Sequence, residues 1–168
     1  MTHLAVPKTY KLAIGGAFPR SESGRVYAVN DAKGAFVANA AKGSRKDARD
    51  AVVAARAALK GWSGATAYNR GQVLYRIAEL LEGRRAQFVD EITRLEGVSA
   101  VAANAQVDAA IDLWIWYAGW TDKHAQVVGN ANAVSGPYFN ISVPEPTGVV
   151  AVVVPQGSSL LGFVSVVA

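Results

Sequence analysis

Residues 149–168 read "VVAVVVPQGSSLLGFVSVVA", and the reading of this stretch decides the fold. Its first six residues are apolar in unbroken succession, the pattern of a strand covered on both faces in a parallel sheet rather than of one with a solvated side. "PQGSS" at 155–159 then supplies a turn and a cap, and "LLGFVSVVA" opens an apolar helix. Strand, tight turn and helix in that order commonly lead into a nucleotide-binding or catalytic domain, so the fold class expected is α/β. The run from Gly148 to Ala168 is also long enough to span a bilayer, but the proline and the cap at its centre argue against a transmembrane helix.

Upstream, "YFNISVP" at 138–144 alternates Phe139, Ile141 and Val143 with polar residues, which predicts a half-buried strand. From Pro137 to Ala168 the only charged residue is Glu145. The segment from Val101 to about His124 predicts a long helix with Val107, Ala110, Ile111, Trp114, Tyr117 and Ala118 on one stripe; Ile115, Trp116 and Trp120 widen the arc, so packing on two sides is expected. "VLYRIAELLEGRRAQFVDEITRLEG" at 73–97 predicts two helices broken near Gly83 and closed by Gly97, burying Val73, Leu74, Ile77, Leu80 and Leu81, then Phe88, Val89, Ile92 and Leu95. "SRKDARDAVVAARAALKGW" at 44–62 predicts a helix with a Ser44–Asp47 capping box, an end at Gly61 and an apolar row of Ala48, Val52, Ala55, Leu59 and Trp62. In "YKLAIGGAFPRSESGRVYAVND" at 10–31, Leu12/Ile14 and Val26/Ala28 predict two short strands of an edge hairpin.

The 168 residues are 51% hydrophobic and 18% charged, which excludes a disordered chain. There is no cysteine, hence no disulfide, thiolate metal site or cysteine nucleophile in this sequence. The net charge of +4 is concentrated at the N-terminal end: residues 1–60 carry 11 Lys and Arg against 4 Asp and Glu. Lys42, Arg45, Lys46, Arg49 and Arg56 lie on or beside one helix without interleaved aromatics, which reads as a solvated face and not a nucleic-acid surface. No signal peptide opens the sequence, so a cytoplasmic setting is expected. His3 and His124 are the only histidines, and no cluster has metal-ligand spacing. "GSSLL" fails the G-x-S-x-G pattern, which excludes a nucleophile elbow. The helix N-terminus after the turn could take an anion, but Ser158 and Ser159 are expected to cap it themselves.

Taken together, these segments resemble the aldehyde dehydrogenase family. "EPTGVVAVVVP" at 145–155 is similar to the segment that leads into the family's oxyanion turn, and "AVVAARAALKGW", "RGQVLYRIAELLE" and "YAGW" are similar to its helices in the same order. The resemblance runs from Tyr10 to the last residue and implies the N-terminal portion of the fold. Residues 1–136 would form an N-terminal hairpin and the helical part of the nucleotide-binding-type domain. Residues 137–146 would form a strand arm for oligomerisation, and 147–168 the first strand and first helix of a truncated central sheet of Rossmann type.

The activity implied is NAD- or NADP-dependent oxidation of aldehydes, in which a cysteine thiolate attacks the carbonyl carbon and an asparagine amide stabilises the oxyanion before hydride transfer. Where the family reads P-W-N-F-P-L-L this sequence has "PQGSSLL", so Gly157 stands at the oxyanion asparagine position and no catalytic residue is carried over. Val154, Pro155 and Gln156 correspond to a cofactor-lining segment, although the chain alone is not expected to bind NAD or NADP. Val98 stands where the family commonly has lysine. These departures resemble a divergent branch that includes tandem-domain, pseudoenzyme-like members. The expectation is therefore an oxidoreductase fragment, inactive alone, that forms a homo-oligomer or docks on a missing C-terminal catalytic part; the alternative is a non-catalytic scaffold or assembly subunit.

Overall fold

The computed structural model describes residues 6–155 and 157–168. Helices dominate, with two small sheets at the edges. Strand β1 (Thr9–Tyr10) runs parallel to β3 (Phe36–Ala41), and β3 pairs antiparallel with β2 (Val26–Asn30), giving the order β1-β3-β2. The predicted pairing of Leu12/Ile14 with Val26/Ala28 is thus replaced. Ile14 instead bridges Ala17 across Gly15–Gly16, while β2 turns into β3. Asp31 builds that turn by accepting the amides of Lys33 and Ala35, each at 2.8 Å. β3 is Ala-rich and has little of the β-branched character that marks a strand in sequence, which is why it is hard to read.

Helix α1 (Arg45–Gly64) begins with the expected capping box: Ser44 Oγ accepts the Asp47 amide at 3.2 Å and Asp47 accepts the Ser44 amide at 2.8 Å. The buried Asp47 carboxylate also accepts the Ser21 hydroxyl at 2.7 Å and the Glu22 amide at 3.2 Å, so it ties the loop before β2 to the start of α1. α1 continues through Gly61 and ends at Ala65, whose amide donates to the Gly61 and Trp62 carbonyls. Its expected apolar row is not covered. Leu59 alone of the row is half-buried, while Ala48, Val52, Ala55 and Trp62 are exposed, because among the described residues no other helix packs extensively on α1.

The Ser21 hydroxyl, followed by the Ser44 and Glu22 amides, pulls the Asp47 carboxyl below its ordinary value to about 2. A depressed carboxylate contributes stability above its unfolded pKa near 4 and loses it as pH falls toward the folded value. Between pH 5 and about 2 the wild-type melting temperature is therefore expected to fall more than that of Asp47→Asn. Ser44→Ala at neutral pH should cost about 1 kcal/mol, or roughly 2–4 °C. Thermal melts across this range check both, and parallel falls for wild type and Asp47→Asn would contradict the assignment.

Helices α2 (Ala67–Glu82), α3 (Arg85–Glu96) and α4 (Ala100–Trp120) form the core with a C-terminal helix, α6 (Ser159–Val167). α4 is central. α2, α3 and α6 all pack against it, in line with the expected packing on more than one side, and its Ala103, Val107, Ala110, Ile111 and Trp114 are buried. Leu81 and Ala78 of α2 and Val89 and Ile92 of α3 complete this centre, whereas Val73 and Leu80 are exposed on the outer face of α2. Gly71 lets α2 approach the end of α4, since a Cβ there would lie 2.7 Å from Thr121 Oγ1 and 3.1 Å from the Ala118 carbonyl. Gly97 ends α3 as expected, with φ +70°.

A short helix, α5 (His124–Val128), precedes an antiparallel pair of two-residue strands, β4 (Asn130–Ala131) and β5 (Ile141–Ser142). The predicted buried row on 138–144 is corrected here: Phe139 is 87% exposed, and Ile141 and Val143 are exposed too. Residues 149–154 join no sheet among the described residues, and Val153 is 94% exposed. Both segments have the apolar pattern of covered strands, but among the described residues only the two-residue β4 pairs with part of the first, and most of their apolar side chains stay exposed. No helix among the described residues is long and apolar enough to cross a membrane.

Candidate functional site

The turn between the apolar run and α6 holds the positions singled out in the sequence. Val154 is half-buried, Pro155 and Gly157 are exposed, and Gln156 lies outside the described residues. A Cβ added to Gly157 would meet nothing within 4 Å. Ser158 occupies the N-cap position of α6 with a left-handed backbone, φ 56°, and its side chain makes no capping bond. The expectation that the serines cap the helix themselves is thus corrected.

The cap comes from 63 residues earlier in the chain. Glu96, the last residue of α3, accepts the Ser159 amide at 2.8 Å and the Ser159 hydroxyl on Oε1, while its Oε2 accepts Nε2 of Gln106 from α4 at 2.8 Å. Burial pushes the Glu96 carboxyl up, but the bonds from Ser159 and Gln106 outweigh it and the net shift is downward. The anion at this helix N-terminus is therefore a side chain of the protein itself. Sequence reasoning missed Glu96, yet a signal existed. A carboxylate in the last turn of a helix faces the negative end of the helix dipole and is unfavourable there unless another group takes it up.

A cleft of about 370 Å³ lies away from this turn, lined by Leu59, Trp62, Arg70, His124, Glu145 and Pro146 among others. A neighbouring one of about 330 Å³ shares Trp62, Arg70 and His124 and adds Tyr117 and Trp120. Arg70 is committed to structure, because its Nη1 donates to the Ser63 and Ala65 carbonyls at the C-terminal end of α1 at 3.4 and 2.5 Å. His124 sits here at the start of α5. Among the described residues no group of three His, Cys, Asp or Glu is placed to hold a metal ion. Neither of these two clefts is lined by Val154, Pro155 or Gly157.

The model of the aldehyde dehydrogenase family matches residues 18–166. Human retinal dehydrogenase 2 is 34% identical over 162 residues, 93% of this chain and 30% of that protein. Mouse cytosolic 10-formyltetrahydrofolate dehydrogenase is 28% identical over 94% of the chain, which covers 18% of its length. Among solved structures, a salicylaldehyde dehydrogenase from Pseudomonas putida G7 superposes with a TM-score of 0.85 over 95% of this chain and 32% of its own, at 21% identity. An aldehyde dehydrogenase from Bacillus cereus gives 0.73 at 27% identity, over 80% of this chain and 28% of its own. The chain thus spans less than a third of the length of the curated relatives it matches, between 18% and 31%. The match covers nearly every described element, from the end of the Ile14–Ala17 turn through α6, and on that extent the chain belongs to the aldehyde dehydrogenase family.

Proposed function

We propose that this chain is part of an oxidoreductase that oxidises aldehydes with NAD or NADP, and that it does not oxidise aldehydes by itself. The observation that carries the reading is the Gly157 turn. Gly157, which we assign to the position of the stabilising amide, lies within the residues the family match covers, in a sequence without a cysteine. An oxyanion forms only after a nucleophile attacks, and neither the attacking thiolate nor the donor is present. Val154, Pro155 and Gln156 are the positions proposed to line the cofactor. That the chain takes up no dinucleotide unaided belongs to the same reading, and the Glu96 carboxylate, which accepts the Ser159 amide at the α6 N-terminus and places negative charge there, supports it.

The domain roles go with this reading: residues 1–136 as the helical part of a nucleotide-binding-type domain, 137–146 as an oligomerisation arm, 147–168 as the start of a central sheet. A cytoplasmic setting goes with it as well. Sequencing the reading frame beyond codon 168 tests it. An in-frame continuation carrying a cysteine-bearing catalytic segment is expected, whereas a stop codon would overturn the oxidoreductase reading in favour of an assembly subunit.

Exposed apolar side chains support an oligomer or a docked partner domain. Phe139 and Val153 are 87% and 94% exposed, Val143 and Val150 are exposed as well, and large apolar side chains left in water together commonly mark an interaction surface. Sedimentation velocity at about 10 µM should show species heavier than the 17.6 kDa monomer. A single compact monomer would contradict the proposal.

A further inference from the structure

Apart from the oxyanion position, one side chain holds the turn in place. We propose that Glu96 is the positioning residue of the Gly157 turn: its carboxylate locks the N-terminus of α6 and thereby fixes where Gly157 and Ser158 stand relative to the α3–α4 core. The consequence for Gly157 rests on the oxidoreductase reading; the lock itself does not.

Four observations lead there. The turn provides no cap of its own, since Ser158 is left-handed and its hydroxyl makes no capping bond. The first amide of α6 and the Ser159 hydroxyl both donate to Glu96 Oε1, so one carboxylate oxygen satisfies two donors that would otherwise face solvent. Gln106 holds the other oxygen at 2.8 Å and aims the carboxylate, leaving its own buried Oε1 without a partner. The fourth is electrostatic. Glu96 closes α3, where its charge opposes that helix's dipole, and the positive end of α6 compensates it, so the contact relieves two unfavourable helix ends at once. Elsewhere α6 is held by apolar packing of Val164 and Leu160 on the core.

The test is hydrogen exchange by mass spectrometry on the 168-residue chain, comparing wild type, Glu96→Leu, Glu96→Gln and Ser159→Ala. Charge-assisted bonds of this kind predict that Glu96→Leu accelerates exchange in the 157–168 peptide by about tenfold, with peptides of α2 unchanged. Glu96→Gln keeps one acceptor oxygen at the Ser159 amide and is expected to restore part of the protection. Ser159→Ala, which loses only the hydroxyl bond, should fall between wild type and Glu96→Leu. Unchanged exchange at 157–168 in Glu96→Leu would overturn the proposal. So would Glu96→Gln exchanging as fast as Glu96→Leu, because a role for volume alone gives that result. If Glu96→Leu loosens every peptide, Glu96→Gln and Ser159→Ala decide by the same comparison, and a rise spread equally over α2 and α6 counts against the lock. The readout needs no turnover, so an inactive chain with a tenfold local effect keeps the lock while leaving the oxidoreductase reading to its own test.

Discussion

Trp114→Ala is expected to lower the stability of the chain by about 3–5 kcal/mol, a fall in melting temperature on the order of 10 °C. Trp114 sits on α4 at 6% exposure, within the cluster that Val107, Ala110 and Ile111 share with α2, α3 and α6. Three helices meet the same rod, so removing an indole there opens a cavity that no single neighbour can close. Trp116 is the matched control. It lies two residues along and about half exposed, with its ring against those of Tyr117 and Trp120, and Trp116→Ala should cost far less. Urea or thermal unfolding of both variants checks this, and equal losses would show that α4 is not the centre of the core.

The contrast between those two tryptophans also shows how far the sequence could be read. Val107, Ala110, Ile111 and Trp114 recur at helical spacing, so their shared buried face was legible without coordinates, as were the Ser44–Asp47 box and the Gly97 stop, each a local pattern with a local cause. Residues whose environment depends on distant partners were not. Val52 and Trp62 belong to an amphipathic row that implies a covering surface, but sequence cannot say whether the cover lies within the same chain. Phe139, Ile141 and Val143 alternate as a strand should, although only Ile141–Ser142 finds a partner strand. β3 was illegible for the opposite reason, its alanines giving no strand signal while its turn is built by the Asp31 side chain. In the candidate site Gly157 was singled out by resemblance alone. The Glu96–Ser159 bond was not, because it joins residues far apart in sequence and its only local trace is an acid at the wrong end of α3.

The second large effect concerns Gly157→Asn. The space beyond the glycine is open and its backbone lies outside the left-handed region, so asparagine is expected to be accepted without loss of fold. The variant should nevertheless give no aldehyde oxidation in this chain, because a donor aimed at an oxyanion contributes nothing when no nucleophile creates one. In a full-length relative that retains its cysteine, replacing the corresponding asparagine by glycine should cost about 10²–10³ in kcat. A small cost in that setting would mean the turn does not carry the stabilising amide, and the significance assigned to Gly157 would fall.

The account rests most directly on whether the 168-residue chain oxidises aldehydes unaided. The measurement is the appearance of reduced nicotinamide at 340 nm, with NAD and NADP in turn, over a panel of aliphatic and aromatic aldehydes, for wild type and Gly157→Asn. The predicted result is a rate equal to the buffer blank for both proteins with every substrate. Aldehyde-dependent turnover that follows the chain through a second purification, in either protein, would contradict it.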